Sequence, residues 1–274
     1  MNIREQVKQT VEYIRTQTKA TPAVGIILGT GLGALADEIQ KETTISYDKI
    51  PNFPVSTVES HAGRLLFGKL GGRDVVAMQG RFHFYEGYTF EQVTFPVRVM
   101  KELGVEVLIV SNAAGGLNPQ FDIGELVLIS DHINFQGGNP LIGENDDMLG
   151  PRFPDMFNAY DRELRELAIA TALEIKVPLQ KGVYVGVTGP NLETAAEYRF
   201  LRIIGGDLVG MSTVPEVLVA RHQGTKVLGF SLVTDMGLPD RMEPCSHEKI
   251  VAAAGKAEPK LTKLVKSIVE RLKL

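Results

Sequence analysis

The 274-residue chain has a single cysteine, Cys245, which argues for an intracellular protein and against a disulfide-stapled scaffold. It lacks any apolar run that approaches a membrane span, and its first residues read as a charged amphipathic stretch instead of a signal peptide. Basic runs are missing, basic and aromatic residues are not interleaved, and the formal net charge is −4, so nucleic acid is excluded as an expected partner. There is no internal repeat, low-complexity tract, Asn-x-Ser/Thr sequon or G-x-S-x-G elbow, and no His, Cys and acidic residues at metal-ligand spacing. What is present is an ordinary globular composition, 44% hydrophobic and 23% charged, with 28 glycines. No linker divides it, so one α/β domain over 1–274 is expected, in the cytoplasm.

Hydrophobic periodicity orders the chain. Ile3, Val7, Val11 and Ile14 fall on one helical face over 2–19. A buried strand, 23–28, runs into Gly29-Thr-Gly-Leu-Gly33, and a short helix from Leu32 and a polar stretch to Pro51 follow. Strands 64–70 and 74–78 make a hairpin around Gly71-Gly72. Thr89 and Gln92 have capping-box spacing for a helix to Leu103, which Pro96 should kink or delay. Further strands are expected at 105–110, 126–130, 182–188, 207–211 and 227–233. Helices are expected at 161–176, from Thr194, after Ser212 with Pro215 in its first turn, and from Ser246 with a break near Pro259. The long irregular piece, 136–160, suits a functional loop or a subunit contact. Strands and helices alternate, so the class is α/β, and the polar candidates fall just after strand ends.

One such stretch is Met78–Tyr88, MQGRFHFYEGY. If it stays extended, Arg81, His83 and Tyr85 share a side, and a permanent cation, an imidazole and a phenol together suit a small anion. A solvated loop explains the same residues equally well. Gly29–Ala34 fits the G-x-G-x-x-A dinucleotide fingerprint, with Asp48 as the distant acid, but the segment between is a weak strand. A generic phosphate loop ranks first, a dinucleotide site second and a bare turn third. Gly63–Lys69 nearly matches a Walker motif but lies in a strand and has Leu70 where a hydroxyl is required. Glu193 reads in isolation as a helix-dipole charge, Met211-Ser-Thr213 as a strand end with an N-cap hydroxyl, and His132, His222 and Cys245 as structural.

Taken together, Gly29–Gly33, Glu59-Ser-His-Ala-Gly63, Gln79–Tyr88, Ser111–Pro119, Arg152-Phe-Pro154, Gly189–Glu193, Gly210–Glu216 and Ser246-His-Glu248 carry a likeness that runs nearly end to end. In this order and at these intervals the chain resembles the trimeric, 6-oxopurine-type purine nucleoside phosphorylases. The resemblance implies a single domain with a mixed central β-sheet flanked by helices, and reversible phosphorolysis of purine nucleosides to free base and ribose 1-phosphate in purine salvage. It implies no metal and no organic cofactor, inorganic phosphate being a substrate, and a homotrimer. Phosphate would be held by Thr30, Arg81, His83, Ser212 and the backbone N–H of Ala113, with His61 on the phosphate and sugar side and Glu86 behind the phosphate ligands. Ribose would meet Tyr85, Met211 and His247. The purine would lie near Asn112, Leu192, Glu193, Val209, Thr234 and Asp235, with Asp235, His83, Asn112 and Glu193 serving catalysis. Phe153 would reach into a neighbouring subunit's site.

The chain departs from that pattern in three places. Thr30 replaces the usual Ser and keeps the hydroxyl, and Leu192 stands where an aromatic commonly flanks the base. Asp235 stands where enzymes for 6-oxopurines have Asn. An ionised Asp only accepts hydrogen bonds, which favours a 6-amino group, whereas Glu193 accepts from the N1–H of hypoxanthine or guanine. Inosine and guanosine are therefore the expected substrates, with Asp235 protonated or accepting from N7–H. Adenosine or methylthioadenosine is the alternative that Asp235 favours. A nucleoside-binding protein without catalysis and an NAD-dependent oxidoreductase are more distant, and the latter leaves Arg81, His83 and Glu193 without a task.

Overall fold

The computed structural model describes residues 2–29, 33–57, 62–240 and 246–274, the side chain of residue 247 excepted. Helix α1 (Ile3–Gln17) leads into β1 (Val24–Leu28), a short α2 (Leu35–Glu38), β2 (Gln40–Ser46), β3 (Arg64–Leu70) and β4 (Arg73–Gln79). Next come α3 (Phe90–Leu103), β5 (Val107–Gly116), β6 (Leu126–Phe135), α4 (Arg162–Glu174) and β7 (Gln180–Val187). The chain closes with α5 (Ala195–Ile203), β8 (Leu208–Gly210), α6 (Val214–His222), β9 (Lys226–Met236) and α7 (His247–Arg271).

Among the described residues the strands form one nine-stranded mixed sheet in the order β2-β3-β4-β1-β5-β8-β7-β6-β9, and β9 returns to pair with β5. That last pairing closes β5, β8, β7, β6 and β9 into a ring, from which β1, β4, β3 and β2 extend as an open wing. The strand β1 is buried along its whole length because both faces are covered. Ile27 faces a core shared with α1, α3 and α6, while Val24, Ile26 and Leu28 face one shared with α2, α4 and α7. Helix α6 is buried on every side except around Arg221, as a helix apolar all round must be. Hence the class is α/β with a mixed central sheet between two helical layers.

Several elements differ from the reading of the sequence, each for a physical reason. Residues 40–46 form β2, which is polar because it is an edge strand, antiparallel to β3 and remote from β1. The parallel neighbours of β1 are β4 and β5, so Asp48 cannot close a second strand beside the glycine loop and the dinucleotide reading fails. Pro96 neither delays α3, which starts at Phe90 behind the Thr89–Gln92 capping box, nor does Pro259 break α7. Both helices are held by buried apolar faces whose packing outweighs the lost backbone bond. Strands β5, β6 and β9 continue past their apolar runs. Asn112, Ala113, Thr234 and Asp235 consequently lie within strands, where ring closure supplies their backbone partners, and not in loops after them.

Close approaches explain two glycines. A Cβ at Gly29 would stand 2.7 Å from the carbonyl oxygen of Ser111, so the end of β1 can pass β5 only without a side chain. At Gly210 a Cβ would collide with the hydroxyl of the buried Tyr184. Gly210→Ala should therefore cost about 1–3 kcal/mol by overpacking. Urea unfolding should show that loss, and adding Tyr184→Phe should restore part of it; an unaltered midpoint for Gly210→Ala would refute the contact.

Candidate active site

A cavity of about 490 Å³ opens where the ends of β5, β8 and β9 meet the segment after β4. Arg81, His83 and Tyr85 line it together, although a 3₁₀ turn over Phe84–Glu86 replaces the extended path expected from alternation. Ala113 and Asn112 enter from β5, Ser212 and Met211 from the turn after β8, and Thr234 and Asp235 from β9. Leu192 and Glu193 cover it from the segment before α5, and Val209 completes the wall. Thr30, His61 and the side chain of His247 lie outside the described residues, as does Cys245. His132 and His222 do not line the cavity; their rings meet the Tyr160 hydroxyl at 3.2 Å and Asn145 Oδ1 at 3.3 Å.

One end of the cavity is built around a buried cation. Arg81 is 1% exposed, and its Nη1 donates to Ser212 Oγ at 2.9 Å and Thr213 Oγ1 at 3.1 Å. Behind it stands the carboxylate of Glu216, 2% exposed, with Oε1 3.3 Å from Arg81 Nε. A buried guanidinium needs such compensation, because an unpaired charge away from water is very costly. Asn112 belongs to this end too: its Nδ2 donates to Thr213 Oγ1 at 2.9 Å, while its Oδ1 is buried without a partner among the described residues. The backbone N–H of Ser212 donates to the Tyr184 hydroxyl at 3.2 Å. Burial pushes that phenol up to about 12, so it stays protonated.

Glu86 stands behind His83 as expected, its Oε1 accepting from the His83 backbone N–H at 2.8 Å and lying 2.9 Å from His83 Nδ1. Burial raises the Glu86 pKa, but hydrogen bonds from His83 and Thr57 outweigh it and hold the carboxyl at about 2. An ionised Glu86 only accepts, so it keeps a proton on Nδ1 and fixes the imidazole tautomer. Tyr85 stacks on the His83 ring at 4.6 Å, and burial above all, with the Glu86 charge, pushes its phenol up to about 12. It meets a ligand as a neutral hydroxyl.

The other end holds two carboxyls. Asp235 stands opposite Gly115, further along β5 than Asn112, and Thr234 Oγ1 donates to its Oδ1 at 2.9 Å. Burial raises the Asp235 pKa, which the Thr234 bond partly offsets. Burial likewise raises Glu193, with the Asp235 charge adding to it and bonds from its own backbone and Tyr198 opposing it. Both carboxyls therefore give up their protons at higher pH than an exposed carboxyl does. No group of three or more His, Cys, Asp and Glu side chains is placed to hold a metal ion among the described residues, and no helix there is long and apolar enough to cross a membrane.

Phe153 does not line this cavity; it is 88% exposed, with the Arg152 guanidinium 5.7 Å from its ring centroid. Three residues that the sequence reading gave no place in the site stand behind it: Thr213, read there as a capping hydroxyl but making no capping bond, Tyr184 and Glu216. None is marked by periodicity, and Glu216 in the first turn of α6 looks like any dipole-favoured acid. Only burial distinguishes it.

The model of the phosphorylase superfamily matches residues 23–270. Purine nucleoside phosphorylase 1 of Geobacillus stearothermophilus is 54% identical over 269 residues, covering 98% of each chain. The purine nucleoside phosphorylase of Rattus norvegicus is 49% identical over 275 residues, 98% of this chain and 95% of that one. Among solved structures, the Schistosoma mansoni purine nucleoside phosphorylase in complex with inosine superimposes with a TM-score of 0.94 at 44% identity, covering 98% of this chain and 97% of that one. The same enzyme in complex with adenosine gives 0.94 at 45% identity, covering 98% of each chain. With a buried cation and a pair of carboxyls at opposite ends of one cavity, and with likeness of this extent, the chain belongs to the phosphorylase superfamily, among its purine nucleoside phosphorylases.

Proposed function

We propose that the cavity carries out reversible phosphorolysis of inosine and guanosine, with inorganic phosphate at the Arg81 end and the purine between Glu193 and Asp235. The observation that carries this reading is the buried Arg81, whose donors serve a cavity that also holds two carboxyls. His83, Ser212 and the backbone N–H of Ala113 complete the phosphate site, and the N-terminus of α6 adds a favourable dipole for an anion. Thr30 and His61 belong to the same proposal on sequence grounds. Tyr85, Met211 and His247 are assigned to the ribose. Phosphate and nucleoside suffice, without an organic cofactor or metal.

Cleavage of the C1′–N9 bond sends its electron pair to the purine and leaves an oxocarbenium-like sugar. A phosphate oxygen then forms the new bond to C1′, and its negative charge stabilises the developing cation on the way. At the far end the purine becomes anionic and must be stabilised by a donor near N7. Asp235 in its protonated form donates there, and because a neutral Asp235 no longer repels its charge, Glu193 as a carboxylate accepts from N1–H of a 6-oxopurine. Burial sets the Asp235 pKa above the usual carboxylate value, and turnover of inosine should fall as the pH rises through it and the proton is lost.

Asp235 also supports a second reading, acceptance of adenosine or methylthioadenosine. Leu192, in place of an aromatic residue, makes the wall over the base aliphatic. Phe153 is proposed to enter the site of a second copy of the chain in a homotrimer. Its exposure, with that of Phe157 and Met148 on the same segment, supports such a contact. A cytoplasmic location is part of the same proposal, and the single cysteine supports it.

Two experiments test the assignment. Removing the charge with Arg81→Met should raise the KM for phosphate by about 10–100-fold, the range for losing a charge-assisted bond, and leave the KM for inosine within about twofold. Equal changes in both would make Arg81 structural. Phosphorolysis of inosine, guanosine, adenosine and methylthioadenosine should favour the first two. Asp235→Asn, which restores a donor at all pH values, should abolish that decline with rising pH and shift kcat/KM toward inosine over adenosine by about tenfold or more. A preference of the native enzyme for adenosine would overturn the base assignment.

A further inference from the structure

Thr213 has backbone angles of φ 71° and ψ −51°, a positive-φ conformation that β-branched residues avoid. The N–H of Val214 donates to the carbonyl of Ser212 at 2.8 Å, so Ser212-Thr213-Val214 form the strained kind of γ-turn. Such strain persists only where the surroundings hold it, and it gathers at functional sites. Thr213 precedes α6, where a threonine ordinarily caps the helix with its hydroxyl, yet here the side chain makes no capping bond.

The hydroxyl points elsewhere. Oγ1 accepts from Arg81 Nη1 at 3.1 Å and Asn112 Nδ2 at 2.9 Å, which uses both of its lone pairs. Its single proton then goes to Ser212 Oγ, 3.1 Å away. Ser212 Oγ also accepts from Arg81 Nη1 at 2.9 Å. With both acceptor positions of Ser212 filled, its own O–H turns outward between two acceptors, the Tyr184 hydroxyl, which bonds the Ser212 side chain as well as its backbone, and an anion in the cavity that Ser212 lines. Thr213 itself is fully buried and does not line the cavity.

We propose that Thr213 is the positioning residue of the anion site. Its strained turn joins Arg81 to Asn112 and sets the direction of the Ser212 hydroxyl, so that guanidinium and hydroxyl both present donors to phosphate. The proposal rests on the reading that Arg81 and Ser212 bind phosphate. It adds that the hydrogen-bond polarity runs from Arg81 and Asn112 through Thr213 to Ser212 and out to the ligand.

The test compares Thr213→Val, Thr213→Ser and Thr213→Gly in steady-state phosphorolysis, beside Arg81→Met. Val keeps the shape and the β-branching and removes only the hydroxyl. Its KM for phosphate should rise about tenfold or more, since two buried donors lose their acceptor, while the KM for inosine stays within about twofold. Ser keeps the hydroxyl and should recover the phosphate KM to within about threefold of native. Gly accepts the backbone angles freely, so it folds even if Val does not, and it should show the same selective rise. If Val binds phosphate as tightly as the native enzyme, or Ser is as impaired as Val, or both KM values rise together, the positioning role is wrong. A phosphate KM that Arg81→Met leaves unmoved would instead remove the phosphate reading beneath it.

Discussion

The structure depends most on the need to keep one guanidinium charged and oriented inside the protein. Arg81 sits 1% exposed at the mouth of the sheet ring, and its charge is met by Glu216 from behind and by the hydroxyls of Ser212 and Thr213 at its side. All three partners come from the turn and first residues of α6. That helix end is itself an unfavourable place for a cation and a favourable one for an anion. Placed there, Arg81 is stable only with a resident carboxylate at its back, and an anion arriving at its front completes the balance. The His83–Glu86 pair repeats the logic on a smaller scale, with an ionised carboxyl orienting an imidazole.

The sheet makes that arrangement accessible. Because β9 returns to β5, the ring draws the last residues of β5, β8 and β9 around one opening, and α6 is fed into it directly from β8. Asn112 and Ser212 consequently meet at the anion end while Asp235 lies further along, opposite Gly115. The glycines keep this crossing tight: Gly29 lets β1 pass against β5, and Gly210 lets the Tyr184 phenol lie under the Ser212 backbone. Separation of the anion end from the carboxyl end is a property of strand register, and glycosidic phosphorolysis needs just that separation of charge.

Much of this was legible in the sequence. Apolar periodicity located β1, the β3–β4 hairpin and α1, and the Thr89–Gln92 capping box marked the start of α3. The site residues whose side chains are described, apart from Phe153, do line one cavity. Strand continuation was not legible, because Asn112-Ala-Ala-Gly-Gly116 and Thr234-Asp-Met236 have the composition of turns and are held extended only by ring closure. Nor were β2, an edge strand with little apolar signal, or the groups behind the site, since burial rather than residue type gives Thr213, Tyr184 and Glu216 their roles.

The central claim, that Arg81 and Glu216 form one buried electrostatic unit serving an anion, is tested most directly by a double-mutant cycle read by urea unfolding with and without phosphate. Arg81→Met and Glu216→Gln should each cost about 3–5 kcal/mol, because each strands a buried charge. Their combination should cost much less than the sum, and phosphate should stabilise the native enzyme far more than the variants lacking Arg81. Additive losses, with phosphate stabilising the Arg81→Met enzyme as well as the native one, would contradict the account.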